Sequence, residues 1–452
     1  MKNKLTLQQK LEKRKAKQPN GFLFWLYHFI EHNFLIKKYN TTYNFIDKVS
    51  DCKGPCFLIW NHLSRLDHLW VMESVFPKKY NMLAGYNEFF RSHLHFPFKI
   101  MNVIPKKIYN TDINSLKAMS KIISKGGCVA FSPEGMSSIY GHNQPIVATT
   151  GHFLKHFNIP VYLMTLRGAY LTEHKVCLDE RYGKVECETK LLFSPEQLKA
   201  MTDEEVDDKI NEAFRHDDYA WNKTARVKWK RMENVCSHYE DICYRCPRCG
   251  AELQMHAEGN RIECKACGNG AVMNEYYDFV PFDDKCVIPE SPSKWVDWER
   301  TVIIKEIREN PNYSHTEKVQ VGYLPPYKYV SDKKTSEPCG EGEITFDHSG
   351  IHFKGVKLGK EWKFDLSYKE VFSLIHVTDV TFFALYVKGQ YFEFKPSRPI
   401  AGKLLLITEE MHRLHVNLWK NFPWDAYMYE GTELDPALTA AKETDTKETE
   451  KQ

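Results

Sequence analysis

No apolar run in this 452-residue sequence is long enough to cross a bilayer as a helix. The most hydrophobic early segment, GFLFWLYHFIEHNFLI (residues 21–36), is broken by His28, Glu31 and His32, whereas a span needs about 20 consecutive apolar residues. The same breaks speak against a cleavable signal peptide. An excess of one charge is also missing: 62 Lys and Arg stand against 59 Asp and Glu, a net +3. Charge total alone therefore selects neither nucleic acid nor an acidic partner. No internal repeat is visible, which excludes a solenoid or an array. The chain is 42% hydrophobic, enough for a real core, and its length predicts about two to four domains.

Charge and cysteine are unevenly placed. The first twenty residues hold seven Lys or Arg and one acid, Glu12; residues 1–20 read as a basic, mobile N-terminus. Residues 431–452 are rich in Glu, Asp, Lys and Thr with almost no large apolar side chains. They read as a disordered tail, because such a segment cannot bury enough surface to offset its chain entropy. Of thirteen cysteines, six lie between Cys236 and Cys267. The others are scattered in apolar surroundings, as reduced structural cysteines are, which argues for a reducing, cytoplasmic compartment.

Residues 21–36 have helical spacing, with polar positions 28, 31 and 32 in one stripe and Lys37 and Lys38 after them. Two readings stand side by side: an interfacial helix with its apolar face in a membrane, or a first helix packed on its own domain. From Pro55 to Phe193, apolar runs (PCFLIWNH, YNMLAGY, MNVIPKK, GGCVAFSPEG, IPVYLMTLRG) alternate with helical stretches such as DHLWVMESVF and DINSLKAMSKIISKG. That alternation predicts an α/β domain over residues 21–230 with a mixed, largely parallel sheet and flanking helices. A cysteine-rich module follows at 236–280, a linker with an amphipathic helix at 281–330, and a β-rich module at 335–425. In the last, GEITFDHSGIHFKG and TFFALYVKGQYFEFKP read as hairpins with glycine at the turn, closed by the helix GKLLLITEEMHRLHVNLWKNF.

In FLIWNHLSRLDHLW (Phe57 to Trp70), a buried strand ends in Asn-His and an aspartate follows after four intervening residues. A neutral imidazole can take a proton from a hydroxyl, and a carboxylate on its other nitrogen fixes the tautomer and stabilises the cation. His62 at a strand end and Asp67 in the first turn of the next helix could form that pair across the turn. By spacing alone, Asp67 could equally be an N-cap and His62 a strand-end residue bonded to backbone.

NHLSRLD (Asn61 to Asp67) resembles the NHxSxxD signature of the 1-acyl-sn-glycerol-3-phosphate acyltransferase family. FSPEGMSS (Phe131 to Ser138) resembles that family's FPEGTRS block. MNVIPKK lies where the family has a block ending in a basic residue, and IPVYLMTLRGAY (Ile159 to Tyr170) resembles its later strand block. The resemblance covers about residues 20–220. It implies transfer of a fatty acyl group from an acyl-CoA or acyl carrier protein thioester to the hydroxyl of a lysolipid, at a membrane surface on the cytoplasmic side. His62 would be the general base and Asp67 its orienting partner; Glu134, Gly135, Lys106, Lys107 and Arg167 would bind the acceptor. Two positions depart from the family. Ser137 replaces the arginine of the EGTR block, and a lysine, Lys106 or Lys107, replaces the middle arginine. Lysine meets phosphate as a point charge without the bidentate fork. These departures motivate an alternative, a non-enzymatic scaffold that binds lipid or protein.

CPRCG (246–250) and CKACG (264–268) form two Cys-x-x-Cys-Gly knuckles, with fourteen residues between Cys249 and Cys264. This spacing predicts structural Zn2+ on Cys246, Cys249, Cys264 and Cys267 in a zinc ribbon. Four thiolates leave no open position for catalysis. Cys236 and Cys243 read as spectators, with Cys243 an alternative ligand. The ribbon's mixed charge and lack of an aromatic-studded basic face argue against nucleic acid. The C-terminal module resembles a pleckstrin-homology-like domain by fold-level analogy only.

Overall fold

Strand β2 (Cys56–Trp60) is buried at every position, and its side chains divide by parity between two cores. In a computed structural model describing residues 5–331, 334–376 and 379–418, Phe57 and Ile59 join one apolar cluster while Cys56, Leu58 and Trp60 join another. Successive strand residues point to opposite faces, so a strand covered on both sides reads as an unbroken apolar run. The sheet contains β1 (Thr41–Phe45), β2, β3 (Tyr80–Gly85), β4 (Ile104–Lys106), β5 (Cys128–Phe131), β6 (Val161–Arg167) and β7 (Val185–Phe193). Their order is β1-β7-β6-β2-β5-β3-β4, parallel throughout except between β6 and β7. The mixed, largely parallel α/β sheet expected from the sequence is thus present.

Helices Ile113–Ile123, Thr150–Phe157 and Asp203–Phe214 cover one face, and helices Gly21–Ile30 and Asp67–Val75 the other. Several start where the sequence supplies an acceptor for free N–H groups. Asp112 caps the first of them, and Thr202 with Glu205 forms a reciprocal capping box on the third.

β8 (Met255–Glu258), β9 (Arg261–Cys264), β10 (Gly270–Met273) and β11 (Phe279–Pro281) form a small antiparallel sheet. The C-terminal sheet holds β12 (Ser314–Tyr323), β13 (Glu337–Asp347), β14 (Gly350–Lys357), β15 (Lys360–Leu366), β16 (Phe383–Val387) and β17 (Gln390–Pro396), ordered β15-β14-β13-β12-β17-β16. It curls on itself: Trp362 on β15 and Phe392 on β17 bring their rings to 4.7 Å. In the cross-strand pair Gly342 and Gly355 the backbones approach closely: a Cβ on either would come within 2.7 Å of the other's Cα and nearer still to a carbonyl oxygen. Helix Ala401–His415 closes the module.

Three boundaries differ from the sequence expectation. The described part of the basic N-terminus, residues 5–20, is laid onto the domain: Leu7 is buried, and the Arg14 guanidinium donates to the carbonyls of Phe98 and Val103. The stretch 281–330 contains β12, so the C-terminal sheet begins at Ser314, ahead of 335. Helix Pro292–Glu309 in the same stretch is a spine rather than a linker. Its Arg300 donates to Glu410 at 2.9 Å, Glu409 at 2.7 Å and the Tyr140 hydroxyl at 2.9 Å, all buried. A buried guanidinium needs such a set of partners to offset its desolvation, and these partners join the first domain to the C-terminal helix. The tail expected to be disordered, 431–452, lies outside the described residues.

Candidate functional site

The turn after β2 holds its shape through side chains that imitate backbone. Asn61 extends the β2–β6 ladder: its Oδ1 accepts from Leu166 N at 2.8 Å and its Nδ2 donates to Leu166 O at 2.9 Å. The next residue, His62, donates its backbone N–H to the Glu134 carboxylate and accepts at its carbonyl from Ser138 N at 2.7 Å. Both peptide groups of the imidazole-bearing residue are therefore fixed before its side chain is considered.

The side chain is fixed by Asp67. His62 Nδ1 is 2.7 Å from Asp67 Oδ2, and the same carboxylate accepts the N–H groups of Leu63 and Ser64, each at 3.0 Å. Asp67 is buried at the start of helix Asp67–Val75, where negative charge suits the helix N-terminus. Burial pushes its carboxyl above the usual range, opposed by His62 and the two N–H groups. With Nδ1 engaged, Nε2 is the nitrogen left to solvent and ligands; among the described residues it has no hydrogen-bond partner.

His62 stands between two cavities. One, of about 430 Å³, is walled by Tyr80, Met82, Phe98, Met101 and Val103 and carries Arg65, Arg91 and Lys175. The other, of about 530 Å³, is bordered by Lys106, Ser115, Ser132, Thr150 and Phe153. Trp60, His62 and Gly135 line both. Gly135 adopts φ +83°, and a Cβ there would come within 2.8 Å of the Tyr109 ring, so glycine is required. The Trp60 indole N–H is buried without a partner among the described residues. A ligand oxygen beside His62 would supply one.

The remaining expected site residues separate. Lys106 lies in the second cavity, where its ammonium donates to the carbonyls of Lys107 and Asn110 and burial lowers it to about 8. Lys107 turns away and donates to the Gly389 carbonyl of the C-terminal module at 3.2 Å. Arg167 faces Glu186 at 3.9 Å and lines neither cavity. Glu134 lines neither as well. Its oxygens accept from His62 N and from Gln144 N at 2.6 Å, and burial pushes the carboxyl up to about 8 against those donors. It is a clamp on the backbone of the turn.

Sequence reasoning missed the cations of the first cavity. Arg65 pairs with Glu173 at 2.6 Å, and buried Lys175 donates to the His376 carbonyl of the C-terminal module. Arg65 stands inside the NHLSRLD block and carried a signal; Lys175 and His376 meet across 201 positions and carried none.

The four knuckle cysteines converge. Cys246 and Cys267 sulfurs are 3.7 Å apart, Cys249 and Cys264 sulfurs 3.8 Å, and all four lie within 4.8 Å of one another. Tetrahedral Zn–S bonds of about 2.3 Å require sulfur separations of about 3.8 Å, far beyond a disulfide. Gly250 and Gly268 take φ +72° and +74° at the knuckle ends. The set fits Zn2+. Cys236 and Cys243 are buried outside it.

No protein-family model and no curated protein matches this chain. Among solved structures, the 1-acyl-sn-glycerophosphate (LPA) acyltransferase PlsC from Thermotoga maritima is similar over 45% of this chain and 79% of that one, at 13% identity and a TM-score of 0.36. The RAN binding domain of the nuclear pore complex component NUP2 from Ashbya gossypii is similar over 22% and 93%, at 12% identity and a TM-score of 0.17.

Proposed function

We propose that this protein is an O-acyltransferase that moves a fatty acyl group from a thioester, acyl-CoA or acyl carrier protein, to the hydroxyl of a lysolipid. One observation carries the reading: an imidazole held by a buried carboxylate at 2.7 Å, on a residue that lines two cavities. Such a base can serve two substrates that meet at one point. His62 Nε2 takes the acceptor's hydroxyl proton as that oxygen bonds to the thioester carbonyl carbon. Asp67 stabilises the imidazolium. The tetrahedral adduct collapses, the C–S bond breaks, and the leaving thiolate takes the proton from Nε2. The apolar wall of the first cavity suits an acyl chain, and Lys106 gives the second a charge for an anionic headgroup.

Helix Gly21–Ile30 supplies the membrane contact in this reading. It packs through Phe24 and exposes Phe22, Trp25 and Phe29, with Phe34 beyond it, as an interfacial element does. No described helix is long and apolar enough to cross a membrane. The ribbon, on Cys246, Cys249, Cys264 and Cys267, holds a structural zinc, and the pleckstrin-homology-like C-terminal module is an interaction appendage.

One observation favours the scaffold reading: with Ser137 in place of arginine, and Lys107 and Arg167 outside both cavities, the acceptor side is poor in cations. Purified protein given acyl-CoA or acyl carrier protein thioesters and a panel of lysolipids separates the two. Free thiol is released in the first case, and His62→Ala abolishes the release with its circular dichroism unchanged. No turnover with any acceptor supports the scaffold.

A further inference from the structure

A second cluster of ligating side chains lies away from the cysteines, between the membrane-facing helix and the helix that begins at Asp67. His28 and His32 stand four positions apart, at the end of helix Gly21–Ile30 and in the π-helical turn Glu31–Leu35 that continues it. Glu73 reaches them from helix Asp67–Val75. His28 Nε2 is 3.2 Å from Glu73 Oε1; His32 Nδ1 is 3.1 Å from Oε1 and 3.0 Å from Oε2. A donor atom from each of the three lies within 4.8 Å of the others.

We infer that His28, His32 and Glu73 form a site for a divalent transition metal of the zinc class, which clasps the exposed apolar helix to the first domain. Five observations carry this. The donor set, two imidazoles and one carboxylate, is one that zinc takes in sites with an open fourth position. A tetrahedral centre about 2.0–2.1 Å from each donor needs donors about 3.3 Å apart, close to the 3.0–3.2 Å from each imidazole to Glu73, and the His28 and His32 donors lie within 4.8 Å of each other. The His28 ring is held in place by stacking on Phe76, 3.7 Å between centroids at 9°, so the ligand is ordered in advance. Exposure is graded: His28 and Glu73 side chains are 15% and 11% exposed and His32 47%, which leaves the fourth position to water or an anion. His32 lies within the π-helical turn Glu31–Leu35, and such single turns inside helices recur at functional sites. The inference stands whether or not the chain transfers acyl groups.

Metal stoichiometry tests it. Untagged full-length protein is equilibrated with Zn2+, freed of loose metal by gel filtration, and weighed by native mass spectrometry. Two ions per chain are expected, one in the cysteine cluster and one here. Glu73→Gln, which keeps the side chain's volume, and His32→Ala, at the most exposed ligand, are each expected to fall to one ion with unchanged circular dichroism. A wild-type protein that holds one ion, or variants that still hold two, would overturn the site.

Discussion

His62 Nδ1 and Asp67 Oδ2 are 2.7 Å apart across five positions, and that carboxylate also closes the turn by accepting from Leu63 and Ser64. One side chain thus shapes the loop and sets the tautomer. Asp67→Asn keeps the shape but can present N–H to Nδ1, which drives the imidazole proton to Nε2 and removes the base. Acyl transfer is expected to fall on the order of 10²–10⁴-fold, with a stability loss of about 1–3 kcal/mol from the mispaired N–H groups. Thiol release and urea unfolding measure the two effects separately.

Glu134 acts on the same turn without touching either cavity. Glu134→Gln leaves one carbonyl oxygen for two backbone donors, those of His62 and Gln144, and sets an amide N–H against the other. The expected cost is about 1–3 kcal/mol in urea unfolding. Turnover at saturating acceptor should drop while KM for the acceptor holds, since the side chain does not line the acceptor's cavity. A rise in KM alone would return Glu134 to the binding role its motif implies.

What could be read from the sequence follows from where each strand and partner sits. β2, β5 and β6 are legible because they are interior and mostly buried along their length. β1 and β7 are not: they pair at the sheet's margin, and VECETKLLF alternates buried with half-buried positions. β12 hides similarly, since in Ser314–Tyr323 the buried Val319 and Val321 are separated by exposed Gln320 and preceded by exposed Lys318. The His62–Asp67 spacing is local and therefore readable. Side-chain direction is not: Lys107 and Arg167 lie inside the family-like blocks yet point elsewhere. The spine role of helix Pro292–Glu309 depends on Arg300 meeting residues more than a hundred positions away, and no local pattern encodes that.

Lys175 gives a pH dependence whose sign can be worked out. Burial lowers its ammonium from 10.5 to about 7. Between those values the unfolded chain binds a proton that the folded one does not, so this group's contribution makes stability rise with pH from about 7 to 10.5. Below pH 7 the fold carries a buried charge that it does not above. Lys175→Met is expected to stabilise the protein relative to wild type by about 1–3 kcal/mol at pH 6, and by less as pH rises toward 9. Denaturant midpoints of the two proteins across that range check it. A gap that widens with pH would contradict the assignment.

Removing zinc from the four cysteines should be felt beyond the ribbon. Arg245, beside Cys246, donates its backbone N–H to Glu299 at 2.8 Å and accepts from the Trp295 indole at 3.0 Å. Both partners lie on helix Pro292–Glu309, which also carries Arg300. Because small metal modules fold with their ion, chelation or Cys249→Ser is expected to expose Trp295 and lower the melting temperature of the whole chain. Tryptophan fluorescence should shift to the red on chelation and recover on adding Zn2+. A melting curve unmoved by chelator would mean that the cysteines hold no structural ion.

The membrane prediction rests on one helix face. Phe22, Trp25 and Phe34 are 68%, 50% and 69% exposed, an apolar surface that nothing in the described fold covers, while Phe24 on the other side packs against Phe76 and Tyr80. Burying three aromatic rings in a lipid interface contributes several kcal/mol at about 25 cal/mol per Å². Phe22→Glu with Trp25→Glu leaves the packed face intact, so the fold should survive with its unfolding midpoint unchanged. Sedimentation with phosphatidylglycerol-containing vesicles is expected to fall at least about tenfold, since losing two rings removes more than 1.4 kcal/mol. Thiol release with a micellar or short-chain lysolipid, which need not be drawn from a bilayer, should be little affected. If vesicle binding is retained, the face belongs to a protein partner, and the lysolipid must reach His62 by another route.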